Sequence, residues 1–365
     1  MLLSSKIKRI TLKIAIVGTG RWGRNHVRVL KRIMEKNTID ELVLVDPNLE
    51  ILKRVSKQYG IEKYYTDVIE MKNREKPDAA IIAVPTILHY KIARVLLDSM
   101  DLLIEKPISS TLNEAKEIVE IAEKENRIVA VGHIERFNPA ITALKENLLK
   151  IIKQGNITFI NGERIGPGPP SSKSETYLSV AHDLMVHDID IVVSLLGTLP
   201  TRVTAWGVKS ENYAFATELN SMFIFPSDIQ VFLRASWRSS PTFKKRTLTI
   251  HAHNTVITID YILQSLTIEK GLMEHSMAVD YYGLLAAYKS REKQEYVVYS
   301  GDSSEPLLLE DLHFINCVKK RIKPLVSAVE GYIALKNVLM ALKAYREKRW
   351  LEIEWDEPFI YFEVA

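Results

Sequence analysis

Asp183 and His187 stand four residues apart in SVAHDLMVHDIDIVVSLLG (179–197). On an α-helix that spacing makes them neighbours on one face, with Asp190 one turn further on. A carboxylate beside an imidazole fixes its tautomer and raises its basicity, which is what taking a proton from an alcohol requires. A purely structural Asp–His pair would have the same spacing. The repeated dipeptides His182-Asp183 and His187-Asp188 also invite a metal reading. Five residues turn a helix through about 500°, which leaves the two pairs roughly 140° apart and unable to share one ion. No metal is therefore expected. A second group, Glu105-Lys106-Pro107, closes the apolar run of DLLIEKPISS (101–110). A lysine partly desolvated at the rim of a cleft can exchange a proton with a substrate hydroxyl. Pro107 fixes the backbone beyond it, and a cis Lys–Pro bond is compatible with the sequence. A charged turn without a chemical role explains the tripeptide equally well.

A third group is a glycine turn. AIVGTGRWGRNH carries Gly18-x-Gly20-x-x-Gly23, with Arg21 and Trp22 inside the turn. Alone the pattern is weak, but here a strand precedes it, a helix follows, and an acid ends the next strand. Gly18 permits the tight turn, Gly20 lets the backbone approach a pyrophosphate, and Gly23 permits close helix packing. The helix start then offers free N–H groups to the anion. Asp46 would accept hydrogen bonds from an adenosine ribose and repel a 2′-phosphate, which favours NAD over NADP. Lys53 and Arg54 soften that preference.

The elements that must position these groups follow from periodicity. KIAIVG (13–18), ELVLVD (41–46), DAAIIAV (78–84), DLLIE (101–105) and RIVAVGH (127–133) read as buried strands separated by helix-period segments. Val27, Leu30 and Met34 stripe one helix, and Leu49, Leu52, Val55 and Tyr59 stripe the next. Thr111-x-x-Glu114 is a capping box before a third. Such a doubly wound parallel sheet binds ligands at the carboxyl ends of its strands, where the glycine turn, Asp46, VPTILH (84–89), EKP (105–107) and GHIERF (132–137) gather. Near RFNPA (136–140) the rhythm changes. DIQVFLRASW (228–237) alternates, with Ile229, Val231, Leu233, Ala235 and Trp237 on one side, and RTLTIHAHNTVITID (246–260) reads as a hairpin around His253-Asn254. GERIGPGPPSSKSE (162–175) reads as a mobile loop, and a helical region spans about 305–347 with a turn near Pro324. The expected architecture is α/β: a Rossmann domain over 1–136 and a substrate-binding and oligomerisation domain over 137–365, with an open, mostly antiparallel sheet.

Composition narrows the partners. The chain has 365 residues, 47% hydrophobic and 26% charged, which suits two ordinary globular domains. Its net charge of +4 is slight and dispersed, so no nucleic-acid partner is expected. A single cysteine, Cys317, excludes an internal disulfide and reads as a small core residue. The sequence shows neither a signal peptide nor an apolar run long enough to span a membrane, so a cytoplasmic protein is expected.

With these residues in hand, the sequence resembles the glucose–fructose oxidoreductase/inositol dehydrogenase (Gfo/Idh/MocA) family over nearly the whole chain. GTGRWGRNH, VPTILHYKIA, EKPIS, GHIERFNPA and HDLMVHDID carry the resemblance, in family order. It implies hydride transfer between a sugar-like secondary alcohol and nicotinamide, and dimers or tetramers formed through the second domain's sheet. By position, Lys106, Asp183 and His187 match the catalytic Lys, Asp and His. Pro85, Thr86, His89 and Glu105 match positions lining the cofactor, and the Lys106–Pro107 bond is implied to be cis. GHIERFNPA and ERIGPGPP are similar to the branch that oxidises the 3-hydroxyl of UDP-N-acetylglucosamine. Tyr177 and Ser179 depart from that branch's Asp-x-Gly. Arg136, Asn138 and Arg164 are the candidates for substrate contact. The rival readings are a free polyol or aldose dehydrogenase of the same family and a nicotinamide-binding regulatory protein without turnover.

Overall fold

A computed structural model describes residues 12–152, 157–168, 178–211, 213–271, 280–289, 291–297 and 301–356. The chain forms two compact units: Met1–Gly132 with Leu307–Tyr332, and His133–Pro306 with Ile333–Ala365.

The first unit is built on six strands: β1 (Lys13–Val17), β2 (Glu41–Val45), β3 (Tyr64–Tyr65), β4 (Ala79–Ile82), β5 (Asp101–Glu105) and β6 (Val129–Gly132). They pair in the order β3-β2-β1-β4-β5-β6, every pair parallel. β4 and β5 are buried at every residue, as a sheet covered on both faces requires. The crossovers are α1 (Arg21–Glu35), α2 (Leu49–Tyr59), α3 (Val68–Glu75), α4 (His89–Leu96) and α5 (Leu112–Lys124). The order reverses between β1 and β4, and this topological switch opens a crevice at the carboxyl ends. The capping box forms as read, Thr111 and Glu114 each accepting from the other's backbone end of α5. Leu52 and Val55 are buried on α2, but Leu49, the first helical residue after the Asn48 cap, is exposed.

The second unit holds β7 (Ile157–Ile165), β8 (Arg202–Val208), β9 (Glu218–Ile224), β10 (Gln230–Ser236), β11 (Lys245–Ala252), β12 (Thr255–Asp260), β13 (Ser265–Gly271), β14 (Arg291–Val297) and β15 (Leu351–Glu352). The order is β14-β13-β12-β11-β7-β10-β9-β8-β15, and only β7–β10 is parallel among these pairs. β10 buries Val231, Leu233 and Ala235, and β11 and β12 form the hairpin around His253-Asn254. The helices are α6 (Pro139–Ile152), α7 (Val186–Leu196) and α8 (Tyr281–Lys289), with α9 (Pro306–Lys320) and α10 (Ala328–Glu347) following. Two readings change here. Residues 162–165 of the supposed loop are the end of β7, paired to both β10 and β11, and residues 169–175 lie outside those described. α7 is buried from Val186 to Leu195 rather than along one stripe, so its acids and its histidine must find partners inside the protein.

The division also differs from a single cut after residue 136, because 307–332 returns to the first unit. There Val131 N–H donates to the Val326 carbonyl at 3.0 Å, and Ala130 bridges Ser327 antiparallel. Gly331 sits so close to β6 that a Cβ would lie 2.7 Å from Val131. Cys317 is buried on α9. Among the described residues no helix is long and apolar enough to cross a membrane.

Candidate active site

The three glycines of the turn differ in what constrains them. Gly18 has φ +94°, and a Cβ there would meet the Ala83 carbonyl oxygen at 2.5 Å. At Gly23 a Cβ would fall 1.8 Å from the Gly18 carbonyl oxygen. The fold itself therefore demands both. Gly20 has a negative φ and nothing within 4 Å of its Cβ position, so no protein atom accounts for it. α2, α3 and α5 each carry a side-chain cap, whereas α1 begins with neither a side-chain cap nor an acid in its first turn. An open cradle beside unclaimed helix N–H groups fits a pyrophosphate.

Asp46 stands at the same edge, at the end of β2. Its Oδ2 accepts from the Thr19 N–H at 2.8 Å and the Thr19 hydroxyl at 3.0 Å, and Oδ1 accepts from Asn48 N–H at 2.9 Å. A carboxylate offers about four lone-pair directions, so one on Oδ1 remains for an outside donor such as a ribose hydroxyl. These residues fit NAD. Arg21 and Trp22 are exposed on the first turn of α1. Pro85 and Thr86 open a short 3-10 turn after β4.

Lys106 follows β5, and the Lys106–Pro107 peptide is cis, as the resemblance implied. The imidazole of His89 is buried, with Nδ1 2.9 Å from the Pro107 carbonyl oxygen and Nε2 2.9 Å from that of Val84. It ties the β4 loop to the proline turn, and burial pushes it below its ordinary pKa. Glu105 accepts the Lys106 backbone N–H at 3.1 Å, while its other oxygen lies 3.1 Å from His26 Nε2. Burial favours the neutral acid, but His26 and then Lys106 hold Glu105 below the usual carboxylate range. The carboxyl ends of β1, β2, β4 and β5 thus gather Gly18–Gly23, Asp46, Pro85, Thr86, Glu105 and Lys106. A cavity of about 600 Å³ in the same unit lies at the opposite edge, lined by Lys72, Asp78, Asp101, Arg127, Lys319 and Arg321 among others.

In the second unit, Asp183 lies on a π-helical turn, Ala181–Met185, that runs into α7. Such turns recur at functional sites, and this one breaks the 3.6-residue period assumed between Asp183 and His187. The indole N–H of Trp237 donates to Asp183 Oδ2 at 3.1 Å. His187 is buried and meets His133 edge to face, with ring centroids 6.2 Å apart and planes at 80°. The two His-Asp dipeptides serve different partners: His182 contacts the Ser179 hydroxyl at 3.0 Å, and Asp188 accepts from Arg164 Nε at 2.8 Å. Among the described residues no trio of His, Cys, Asp and Glu side chains could hold a metal ion.

The three residues read as substrate contacts lie inside. Arg136, Asn138 and Arg164 are 6%, 1% and 1% exposed. Arg136 donates from Nε to Asp190 at 2.8 Å and from Nη1 to the Ser194 hydroxyl. Asn138 donates to the Tyr261 carbonyl at 3.0 Å and to Glu135 at 3.1 Å. Arg164 donates to Asp188 and, from Nη1, to Glu135 at 2.8 Å, and its guanidinium stacks 4.6 Å from the Tyr261 ring centroid. Burial opposes the charge on Arg164, yet Asp188 and Glu135 outweigh it and raise its pKa. Burial pushes Asp188 up despite that partner. Sequence reasoning passed over four members of these sites: His26, Asp311, Trp237 and His133. His26 is within the quoted GTGRWGRNH and His133 within GHIERF, but Asp311 contacts His26 from 285 positions away, which no local pattern announces.

Two family models match the chain. One is the oxidoreductase family GFO_IDH_MocA, NAD-binding Rossmann fold, over residues 12–133; the other is the GFO/IDH/MocA C-terminal domain, over 148–258. The UDP-N-acetylglucosamine 3-dehydrogenase of Acidithiobacillus ferrooxidans is 28% identical over 203 residues, 55% of this chain and 59% of that protein. The chain therefore spans less than two thirds of that relative in the match. The scyllo-inositol 2-dehydrogenase (NAD(+)) of Bacillus subtilis is 25% identical over 349 residues, 92% of this chain and 94% of the relative. Among solved structures, the Acidithiobacillus enzyme superposes with a TM-score of 0.77 at 23% identity, covering 93% of this chain and 98% of its own. A levoglucosan dehydrogenase complexed with NADH and levoglucosan gives 0.80 at 17% identity, covering 94% and 100%. At these identities the superpositions establish the fold.

Proposed function

We propose, from the premise that the chain belongs to the GFO/IDH/MocA family of oxidoreductases, that it uses NAD to oxidise a secondary hydroxyl of a sugar. The 3-hydroxyl of a nucleotide sugar such as UDP-N-acetylglucosamine is the first candidate. The observation that carries the cofactor reading is Gly20, a glycine the fold does not need, beside an uncapped helix start. Asp46, with one lone pair open at the end of β2, supports NAD over NADP.

In this reading NAD, when bound, supplies the acceptor for a hydride from the carbinol carbon. Lys106 donates a hydrogen bond to the substrate oxygen and stabilises the negative charge that develops there. His187 takes the hydroxyl proton. Asp183, its carboxylate fixed by the Trp237 indole, contributes negative charge that favours the imidazolium so formed. Arg136, Asn138 and Arg164 support the site through their buried hydrogen bonds rather than by touching the sugar. Assembly as a dimer or tetramer through the second unit's sheet belongs to the same proposal, supported by exposed Trp206, whose ring centroid lies 5.8 Å from that of Phe232 with the planes tilted by 35°; a cytoplasmic location is proposed with it.

A polyol such as inositol is the second reading, favoured by the alignment of the scyllo-inositol relative over 92% of the chain. Incubating the protein with NAD and a panel of nucleotide sugars, free sugars and inositols, and following the absorbance of reduced cofactor, separates the two. Reduction with no member of the panel would refute both.

A further inference from the structure

His26 lies on the inner face of α1 with no exposed surface. Its Nε2 is 3.1 Å from Glu105 Oε1, and its Nδ1 is 2.9 Å and 3.2 Å from the two oxygens of Asp311 on α9. A neutral imidazole has one N–H and can donate to one carboxylate only. Facing carboxylates at both ring nitrogens, it must either carry two protons or leave one carboxyl protonated. The buried ionisable groups around it are Glu105 from β5 and Asp311 and Glu310 from α9, with half-buried Lys106 just beyond β5; the charge of Glu105 also reaches His89. Neither carboxyl oxygen of Glu310 has a hydrogen-bond partner among the described residues, so this acid is the one that remains neutral. Burial and then the nearby Glu105 charge push it well up. With the proton placed there, two ionised carboxylates are left for one ring.

We infer that His26 and Asp311 are positioning residues for the proposed oxidation: the ring donates to both carboxylates and clamps Glu105 as an anion against the Lys106 backbone. The inference rests on the reading of Lys106 as a catalytic residue. Glu105 is held on one oxygen by His26 and on the other by the Lys106 N–H, with Gly132 so close that a Cβ there would lie 3.1 Å from the Glu105 carboxyl carbon. An anion fixed there holds the Lys106 N–H and limits where the backbone carrying this lysine can move. It also gives the return of residues 307–332 to the first unit a chemical purpose, since α9 delivers Asp311 to a ring that follows Gly23 by three positions. Burial opposes a charged His26, but Asp311 and Glu105 outweigh it and hold the imidazole well above its ordinary value.

The test has two parts. Nitrogen-15 NMR of histidine-labelled protein, with His26→Gln used to assign the signal, is read from pH 6 to 9. A free imidazole is only about 1% protonated at pH 8.5. His26 should still show two protonated nitrogens there, and a neutral ring at pH 8.5 would overturn the inference without reference to any activity. In the second part, Asp311→Asn, nearly the same shape, should move a limb of the pH profile of kcat/KM by at least one pH unit. A merely structural loss would lower the amount of folded protein and leave the profile in place, and an unmoved profile would overturn the positioning role. A wild type that oxidises no sugar would remove the functional reading, while the histidine spectrum would still decide whether the clamp exists.

Discussion

Gly20→Ala separates a turn shaped by the fold from a turn shaped for a dinucleotide. Nothing lies within 4 Å of the added Cβ, and the backbone there has a negative φ. Alanine should therefore change stability by no more than about 1 kcal/mol, the range for Gly-to-Ala at an unstrained position. In a chain of this size that moves the melting midpoint by only a few degrees. Gly23→Ala is the internal contrast. Its Cβ would fall 1.8 Å from the Gly18 carbonyl oxygen, well inside the 3.0 Å below which real Cβ contacts essentially never occur. Relieving that overlap requires backbone movement at the end of β1, which should cost at the upper end of the ~1–3 kcal/mol typical of overpacking. Binding should invert the order of interest. The methyl of Gly20→Ala occupies the space through which a pyrophosphate would approach, so NADH affinity should fall at least about tenfold, or roughly 1.4 kcal/mol. Fluorescence titration with NADH and thermal melts of both variants measure the two quantities. A Gly20→Ala protein that binds NADH within about threefold of wild type would refute the assignment of the cradle. One that melts as low as Gly23→Ala would refute the packing argument.

Two further expectations concern the framework. Arg164→Met leaves Asp188 and Glu135 without their buried partner, which should destabilise the fold by about 3–5 kcal/mol in urea unfolding; an unmoved midpoint would show that Arg164 is not part of an internal network. Glu75 is held down to about 2 chiefly by the Tyr65 hydroxyl, then by Lys13 and Lys63. Its folded value lies below the unfolded one, so its contribution is complete above about pH 4.5 and is lost as the pH falls toward 2. Wild type should accordingly lose more unfolding free energy than Glu75→Gln between pH 5 and 3, and parallel losses would contradict this.

The parallel sheet was legible because its strands are short apolar runs ending in polar residues, and because α5 announces itself by a complete capping box. The hairpin around His253-Asn254 was legible from strict alternation. Arg136, Asn138 and Arg164 are buried, and the sequence could not show this for a physical reason. A polar side chain near an element's end looks the same in sequence whether it meets a ligand or a buried carboxylate, and here Asp188, Asp190 and Glu135 supply the carboxylates. The π turn at Asp183 was invisible because periodicity assumes one helical pitch throughout. Asp311 was invisible because its meeting with His26 depends on the return of α9, a tertiary fact with no local pattern. The glycine turn was read correctly as a pattern, but only geometry distinguishes Gly20 from its two neighbours.

The central claim is that Lys106 handles the oxygen of a sugar alcohol whose hydride goes to NAD. It is tested most directly by measuring cofactor reduction by wild type and Lys106→Ala on whichever sugar the panel identifies, alongside NADH binding to each. The account predicts that turnover falls at least about 100-fold, the usual worth of a positioned proton-handling group, while NADH affinity stays within about threefold. Turnover surviving within tenfold of wild type, with binding intact, would contradict it.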